Sequence, residues 1–223
     1  MRAAIIFAAL VIGLIVPAPA GAARVVVVGL DETGSYANRD RALVLLGQVI
    51  EQLSPDDVLY LRRITEASYA DACSVFRLVV PPLPARSANA FDRRSKAAHK
   101  KALNDVESVK ARAIAYLAKE YQPAKAKKTD IHGFIAAAAD RLAMHAGAER
   151  KVVILASDMV DNVDHRPEKC DLAGAEVFIM GFEAGTDPRK ARKLRDGWTA
   201  ILDSAGAGRV SWLPADMPLV LPE

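Results

Sequence analysis

In Arg24-Val25-Val26-Val27-Val28-Gly29-Leu30-Asp31-Glu32-Thr33-Gly34-Ser35, a run of β-branched residues breaks off into acids and hydroxyls. A continuous apolar run of this kind, without polar alternation, is expected of a strand buried on both faces of a parallel sheet. The residues beyond it lie where such a strand leaves the sheet. Downstream, Ala42, Leu45, Leu46, Val49, Ile50 and Leu53 recur at helical spacing, which predicts a helix over 38–53. Ser54-Pro55-Asp56-Asp57 is a turn, and strands are predicted over 58–64 and 74–80, the second joined closely enough to be antiparallel.

Pro81-Pro82-Leu83-Pro84 opens an extended loop. Helices follow over 96–121 and 129–144, then strands over 151–156 and 176–180, a helix over 188–204 and a short closing strand over 209–213. The pattern predicts an α/β, doubly wound, mostly parallel six-stranded sheet with one antiparallel edge strand and helices on both faces. The chain has 223 residues, 52% of them hydrophobic and 26% charged, which suits one domain with a sizeable core and excludes a low-complexity scaffold.

Residues 1–22 have a charged start, an apolar run from Ala3 to Val16 and small residues around Ala18-Pro19-Ala20 and Ala20-Gly21-Ala22. That is the pattern of a signal peptide, with an apolar run short of the ~20 residues that span a bilayer as a helix. The mature part, 23–223, is then a single exported domain, periplasmic in a bacterial cell; an uncleaved N-terminal anchor is the alternative. Export bears on Cys73 and Cys170, the only two cysteines: an oxidising compartment permits one disulfide between them, and two free thiols are the other option.

Three segments carry chemistry. Asp31-Glu32-Thr33-Gly34-Ser35 follows the first strand, Thr129-Asp130 opens a helix, and Ser157-Asp158 follows the strand that ends at Ala156. Ligands of open α/β sheets collect at the carboxyl ends of the strands. Carboxylates and hydroxyls are hard oxygen donors, suited to Mg²⁺ or Mn²⁺, and the scattered histidines (His99, His132, His145, His165) argue against zinc.

Over nearly all of 24–213 the chain resembles the von Willebrand factor type A family, whose metal-ion-dependent adhesion site combines D-x-S-x-S, a distant threonine and an aspartate after the fourth strand. The matching residues are Asp31-x-Thr33-x-Ser35, Thr129 and Asp158. The resemblance implies one Mg²⁺ or Mn²⁺ bound directly by the hydroxyls of Thr33, Ser35 and Thr129, with Asp31 and Asp158 acting through bound water. It also implies a fold of von Willebrand factor A/Rossmann-like type. Three departures stand out: Thr33 for serine, Met159 where many members carry glycine after the aspartate, and a long stretch between Ser35 and Thr129 that requires an insertion.

Such a site leaves the cation electrophilic and one position open for a glutamate or aspartate of a protein ligand, so the implied function is binding, not catalysis. Plainer roles exist for the same residues. Ser35 or Asn38 can cap the first helix, Thr129 the later one, and Asp31 and Asp158 can form turns. An enzyme reading gathers Asp31, Glu32, Asp158, Asp161 and Asp164 around two metals for phosphoester hydrolysis, as in PIN-like nucleases. A third is a metal-free scaffold. No nucleophile elbow, phosphate-binding loop or H-E-x-x-H helix is present. Finally, 86–128 holds twelve Lys and Arg against four Asp and Glu, a net +8 in a chain of net +3. A basic helix of this kind is either a solvated face or a contact for an anionic surface; no nucleic-acid partner is expected.

Overall fold

The computed structural model describes residues 23–85, 92–164, 169–182, 187–214 and 217–222. The predicted signal peptide, Arg86 of the basic region and His165 lie outside the described residues. Six strands, β1 (Arg24–Asp31), β2 (Val58–Ile64), β3 (Ser74–Val79), β4 (Arg150–Ala156), β5 (Glu176–Met180) and β6 (Arg209–Leu213), form one sheet in the order β3-β2-β1-β4-β5-β6. All neighbours pair in parallel except β2 and β3. The predicted architecture is the observed one, including the antiparallel edge.

The valine run explains the position of β1. Every residue of the strand is buried, and it pairs with β2 on one side and β4 on the other. Side chains alternate across a strand, so Val26, Val28 and Leu30 enter one core and Val25 and Val27 the other. The first core is covered by α1 (Arg39–Glu51) and α2 (Arg93–Lys119), the second by α3 (Ile131–Ala143) and α4 (Pro188–Ser204). Gly29 has a packing reason: a Cβ there would stand 2.7 Å from the Phe134 ring of α3.

Two helix starts differ from the sequence pattern, each because an aspartate caps the helix. α2 begins at Arg93, not Lys96, since the Asp92 side chain accepts the Ser95 N–H. α3 begins at Ile131 because Asp130, not Thr129, is the N-cap and accepts the Gly133 N–H at 2.7 Å. α2 is long and lightly anchored. Only Val106 and Leu117 are buried, while Arg93, Arg94, Lys96, Lys100, Lys101, Arg112 and Lys119 are exposed.

Cys73 and Cys170 are free thiols. The Cys73 thiol sits within the turn before β3, 3.3 Å from both the Ala67 carbonyl and the Thr65 hydroxyl. Cys170 packs instead at the edge of the α3/α4 core. Arg62, at an irregularity in the β2–β3 pairing, is among the largest fully buried side chains. Its guanidinium donates to the carbonyls of Ser68, Tyr69 and Ala70 and to the Ser74 hydroxyl, so it organises the β2–β3 connection from inside.

Candidate metal centre

β1 delivers Asp31 to the carboxyl edge of the sheet, fully buried. One carboxylate oxygen accepts the Thr33 N–H at 2.9 Å and the Thr33 hydroxyl at 2.7 Å. The other accepts the Ser157 hydroxyl at 2.6 Å. Thr129 Oγ1 donates to Thr33 Oγ1 at 3.2 Å, and Ser35 Oγ lies 3.1 Å from the same atom. Thr33, Ser35 and Thr129 therefore meet around one hydroxyl although 96 residues separate Thr33 from Thr129.

The plainer helix-capping roles are not the ones adopted. No side chain caps α1 at Asn38, whose amide donates to the Gly181 carbonyl, and Asp130 takes the cap of α3. The two aspartates do make turns, however. Asp31 receives the Thr33 N–H, and Asp158 receives the Val160 N–H at 2.9 Å.

Burial holds the Asp31 carboxyl above its ordinary range, and repulsion from Asp158 adds to this, while the hydrogen bonds from Ser157 and Thr33 offset part of it. Asp158 is half-buried on the loop after β4, close enough for that repulsion. Among the described residues, no ion pair reaches either carboxylate. Two carboxylates that repel one another beside three hydroxyls form a hard-oxygen donor set with a deficit of positive charge. A divalent cation of the Mg²⁺ class fits it.

The chain holds Thr129 in place through the same loop that carries Asp158. Asn162 accepts the Thr129 N–H with its side chain at 2.7 Å and donates its own N–H to the Thr129 carbonyl at 3.1 Å. Asp161 receives the Ile131 and His132 N–H groups on one oxygen, 3.0 and 3.2 Å, and the Val163 N–H on the other, 3.1 Å. One of the five carboxylates of the two-metal reading, Asp161, is thus engaged at the start of α3. Among the described residues no three Asp, Glu, His or Cys side chains gather as a metal cluster.

Met159, directly after Asp158, has φ of +61°. A left-handed backbone costs a non-glycine residue roughly 1–2 kcal/mol, and this is where glycine is common in the resembled family. Here the conformation is held from outside: the Met159 side chain is fully buried, and Trp198 Nε1 of α4 donates to its carbonyl at 2.8 Å. His132 lies against Trp198 with 4.8 Å between ring centroids and the rings tilted by 40°.

Glu32 is buried behind the same loop. The Tyr121 hydroxyl donates to it, while Arg39 stands at 3.8 Å. Burial raises the carboxyl of Glu32, and burial together with the Glu32 carboxylate raises the phenol of Tyr121. Arg63 lies over the Tyr121 ring and donates to the Gln122 carbonyl, and Thr33 pairs with Ala126. The long stretch between Ser35 and Thr129, which sequence spacing marks as an insertion, is thereby tied back to the candidate metal loop at its end.

Sequence reasoning left Ser157 out of the donor set, although its hydroxyl holds Asp31, and assigned Asn162 no role. The adjacency of Ser157 to Asp158 was the available signal for the first. Nothing local marked the second, because its partner is 33 residues away.

No family model and no curated protein matches the chain. Among solved structures, 36 chains match. One is a von Willebrand factor type A protein from Catenulispora acidiphila, 20% identical, with a TM-score of 0.41 over 85% of this chain and 38% of that one. Another is the pilus adhesin SpaC from Lactobacillus rhamnosus GG in its open conformation, 13% identical, with a TM-score of 0.46 over 88% of this chain and 28% of that one. This chain thus spans well under half the length of either. With β3 antiparallel at one edge, β1 central and the rim loops following β1 and β4, its fold is an α/β, mostly parallel six-stranded sheet with helices on both faces.

Proposed function

We propose that the protein is an exported interaction module that binds one Mg²⁺ or Mn²⁺ ion through Asp31, Thr33, Ser35, Thr129 and Asp158. Through that ion it takes the Asp or Glu carboxylate of a protein ligand. The observation that carries the reading is the meeting of the Ser35 and Thr129 hydroxyls at that of Thr33, which is itself hydrogen-bonded to a fully buried Asp31 that has Asp158 for a neighbour and no cationic partner among the described residues. A buried charge without a counter-charge is costly. A cation supplies the missing charge and leaves a coordination position for an incoming carboxylate.

In this reading residues 1–22 are removed on export and 23–223 function as one domain. Among the described residues, no helix is long and apolar enough to cross a membrane. The test is calorimetric titration of Mg²⁺ and Mn²⁺ into the protein beside Asp31→Asn and Asp158→Ala. One site, abolished by both substitutions in folded protein, is the expected result. Heat-silent titration of the wild type, with no shift in its melting temperature, overturns the reading in favour of the metal-free scaffold. Turnover of a phosphodiester in the presence of Mn²⁺ would favour the hydrolase instead.

A further inference from the structure

The loop that carries Asp158 has a second side. Beyond Met159 it forms one wall of a groove of about 530 Å³, which continues between α3 and α4 and is lined by His132, Met159, Val160, Leu194 and Trp198. Its floor is apolar. Val160, two residues from Asp158, stands at the lip with 48% of its surface exposed, one of the few large apolar side chains left open to solvent. The rim is cationic, since Lys190 and Lys193 are both exposed on α4. Among the described residues, the one carboxylate lining the groove, Asp161, is committed to backbone N–H groups of α3 and of its own loop.

The groove and the candidate metal centre share one hydrogen-bonded piece of chain. Ser157 holds Asp31, Asn162 holds Thr129, and Trp198, part of the groove wall, holds the carbonyl of Met159 between them. An apolar slot with a basic rim, walled by the same loop that carries Asp158, is complementary to an acidic peptide carrying a bulky apolar side chain. We infer that the groove is the specificity pocket of the ligand site: it receives a bulky apolar residue of an acidic peptide segment whose neighbouring Asp or Glu completes the cation. This rests on the metal-dependent reading above.

Gly197 offers a clean block. It lines the groove on the exposed side of α4, and a Cβ there would meet nothing within 4 Å, so Gly197→Met fills the slot without strain and improves helix propensity. The probe is a displayed library of random linear peptides, selected on the full chain in Mg²⁺. The expected binders pair an acidic residue with a nearby bulky apolar one. Each should lose at least tenfold in affinity on Gly197→Met and on the double change Lys190→Glu/Lys193→Glu, and be released by chelator or Asp158→Ala.

Binders that need Mg²⁺ and Asp158 but ignore Gly197→Met and the lysine changes overturn the groove and leave the metal-dependent reading standing. Binders lost on Gly197→Met but indifferent to chelator and Asp158→Ala separate the groove from the metal and overturn the shared site. A library that yields no binder overturns it as well.

Discussion

β1 carries a buried charge at each end, and the two are treated in opposite ways. Arg24, its first residue, is fully matched. Its Nε and one Nη donate to the same oxygen of Asp57 at 3.0 and 2.7 Å, and the remaining donors reach the carbonyls of Gln52 and Pro222. Asp57 also receives the Ser54 N–H at 2.7 Å. Asp31, its last residue, is hydrogen-bonded by hydroxyls and one amide but has no positive partner among the described residues, and it faces a second carboxylate. One end of the strand spends its charge on closing the fold, joining β1, the turn before β2 and the C-terminal segment. The other end keeps its charge available.

The largest effect that follows is at the matched end. Asp57→Ala leaves the Arg24 guanidinium buried without its counter-ion, and removal of one member of a buried pair costs about 3–5 kcal/mol. Urea denaturation should show that loss, while Mg²⁺ affinity, measured where the variant is folded, stays within about twofold of wild type. Equal loss from Asp57→Ala and Asp31→Asn would mean that both ends are structural, and the contrast would fail.

At the unmatched end the substitution should be tolerated and the ligand lost. Asp31→Asn keeps an acceptor for Thr33 and removes the uncompensated charge, so without metal the variant should melt no lower than wild type. Mg²⁺ at a hundred times its dissociation constant stabilises a single-site protein by about 2.7 kcal/mol. A thermal shift of that order is expected in the wild type and none in Asp31→Asn. Destabilisation of the metal-free variant would show that the carboxylate is needed for packing.

Tyr121→Phe sharpens the comparison from an adjacent position. Glu32 sits one residue past Asp31 and is as deeply buried, yet one of its oxygens has no hydrogen-bond partner and its ion pair with Arg39 spans 3.8 Å. Deleting the phenol hydroxyl removes the one side-chain hydrogen bond to this carboxylate among the described residues, at a cost of about 1–3 kcal/mol. The predicted signature is lower stability by chemical denaturation together with weaker Mg²⁺ binding, since Thr33 is paired to Ala126 in the segment that Tyr121 anchors. Unchanged metal affinity would confine the pair to a structural role.

How much of this was legible in the sequence follows from the range of each interaction. β1 was readable because four consecutive valines leave few alternatives to a doubly buried strand. The rim residues were readable because strand ends place them, so Asp31, Thr33 and Ser35 come as one local motif. Thr129 was nominated as a hydroxyl at a helix start, and only the family resemblance made it a direct ligand; its position is held by Asn162, a contact between distant segments. Arg62 looks like an ordinary surface charge in the sequence, and Glu32 was weighed there only as one of an acidic cluster. That both are buried depends on carbonyls and a tyrosine brought to them by the finished fold. The left-handed Met159 was equally hidden, since its support comes from Trp198 on a helix 39 residues away.

The smallest effect concerns pH at the carboxyl end of β1. Burial raises the carboxyls of Asp31 and Glu32 above their ordinary values of 3.8 and 4.5. A raised folded-state pKa means that the native protein holds these protons more tightly than the unfolded chain. Their favourable contribution is complete below the unfolded pKa and is lost as pH rises through the folded one. Without metal, the stability these groups contribute should therefore rise as pH is lowered through that window, by at most about 1.4 kcal/mol per pH unit for each proton. Asp31→Asn should flatten part of that slope. With saturating Mg²⁺ the slope should reverse, because protons and the cation compete for the same carboxylate, and the metal-induced rise in melting temperature should shrink as the solution is acidified. Parallel pH profiles with and without Mg²⁺ would show that the cation, if it binds, does not sit on Asp31.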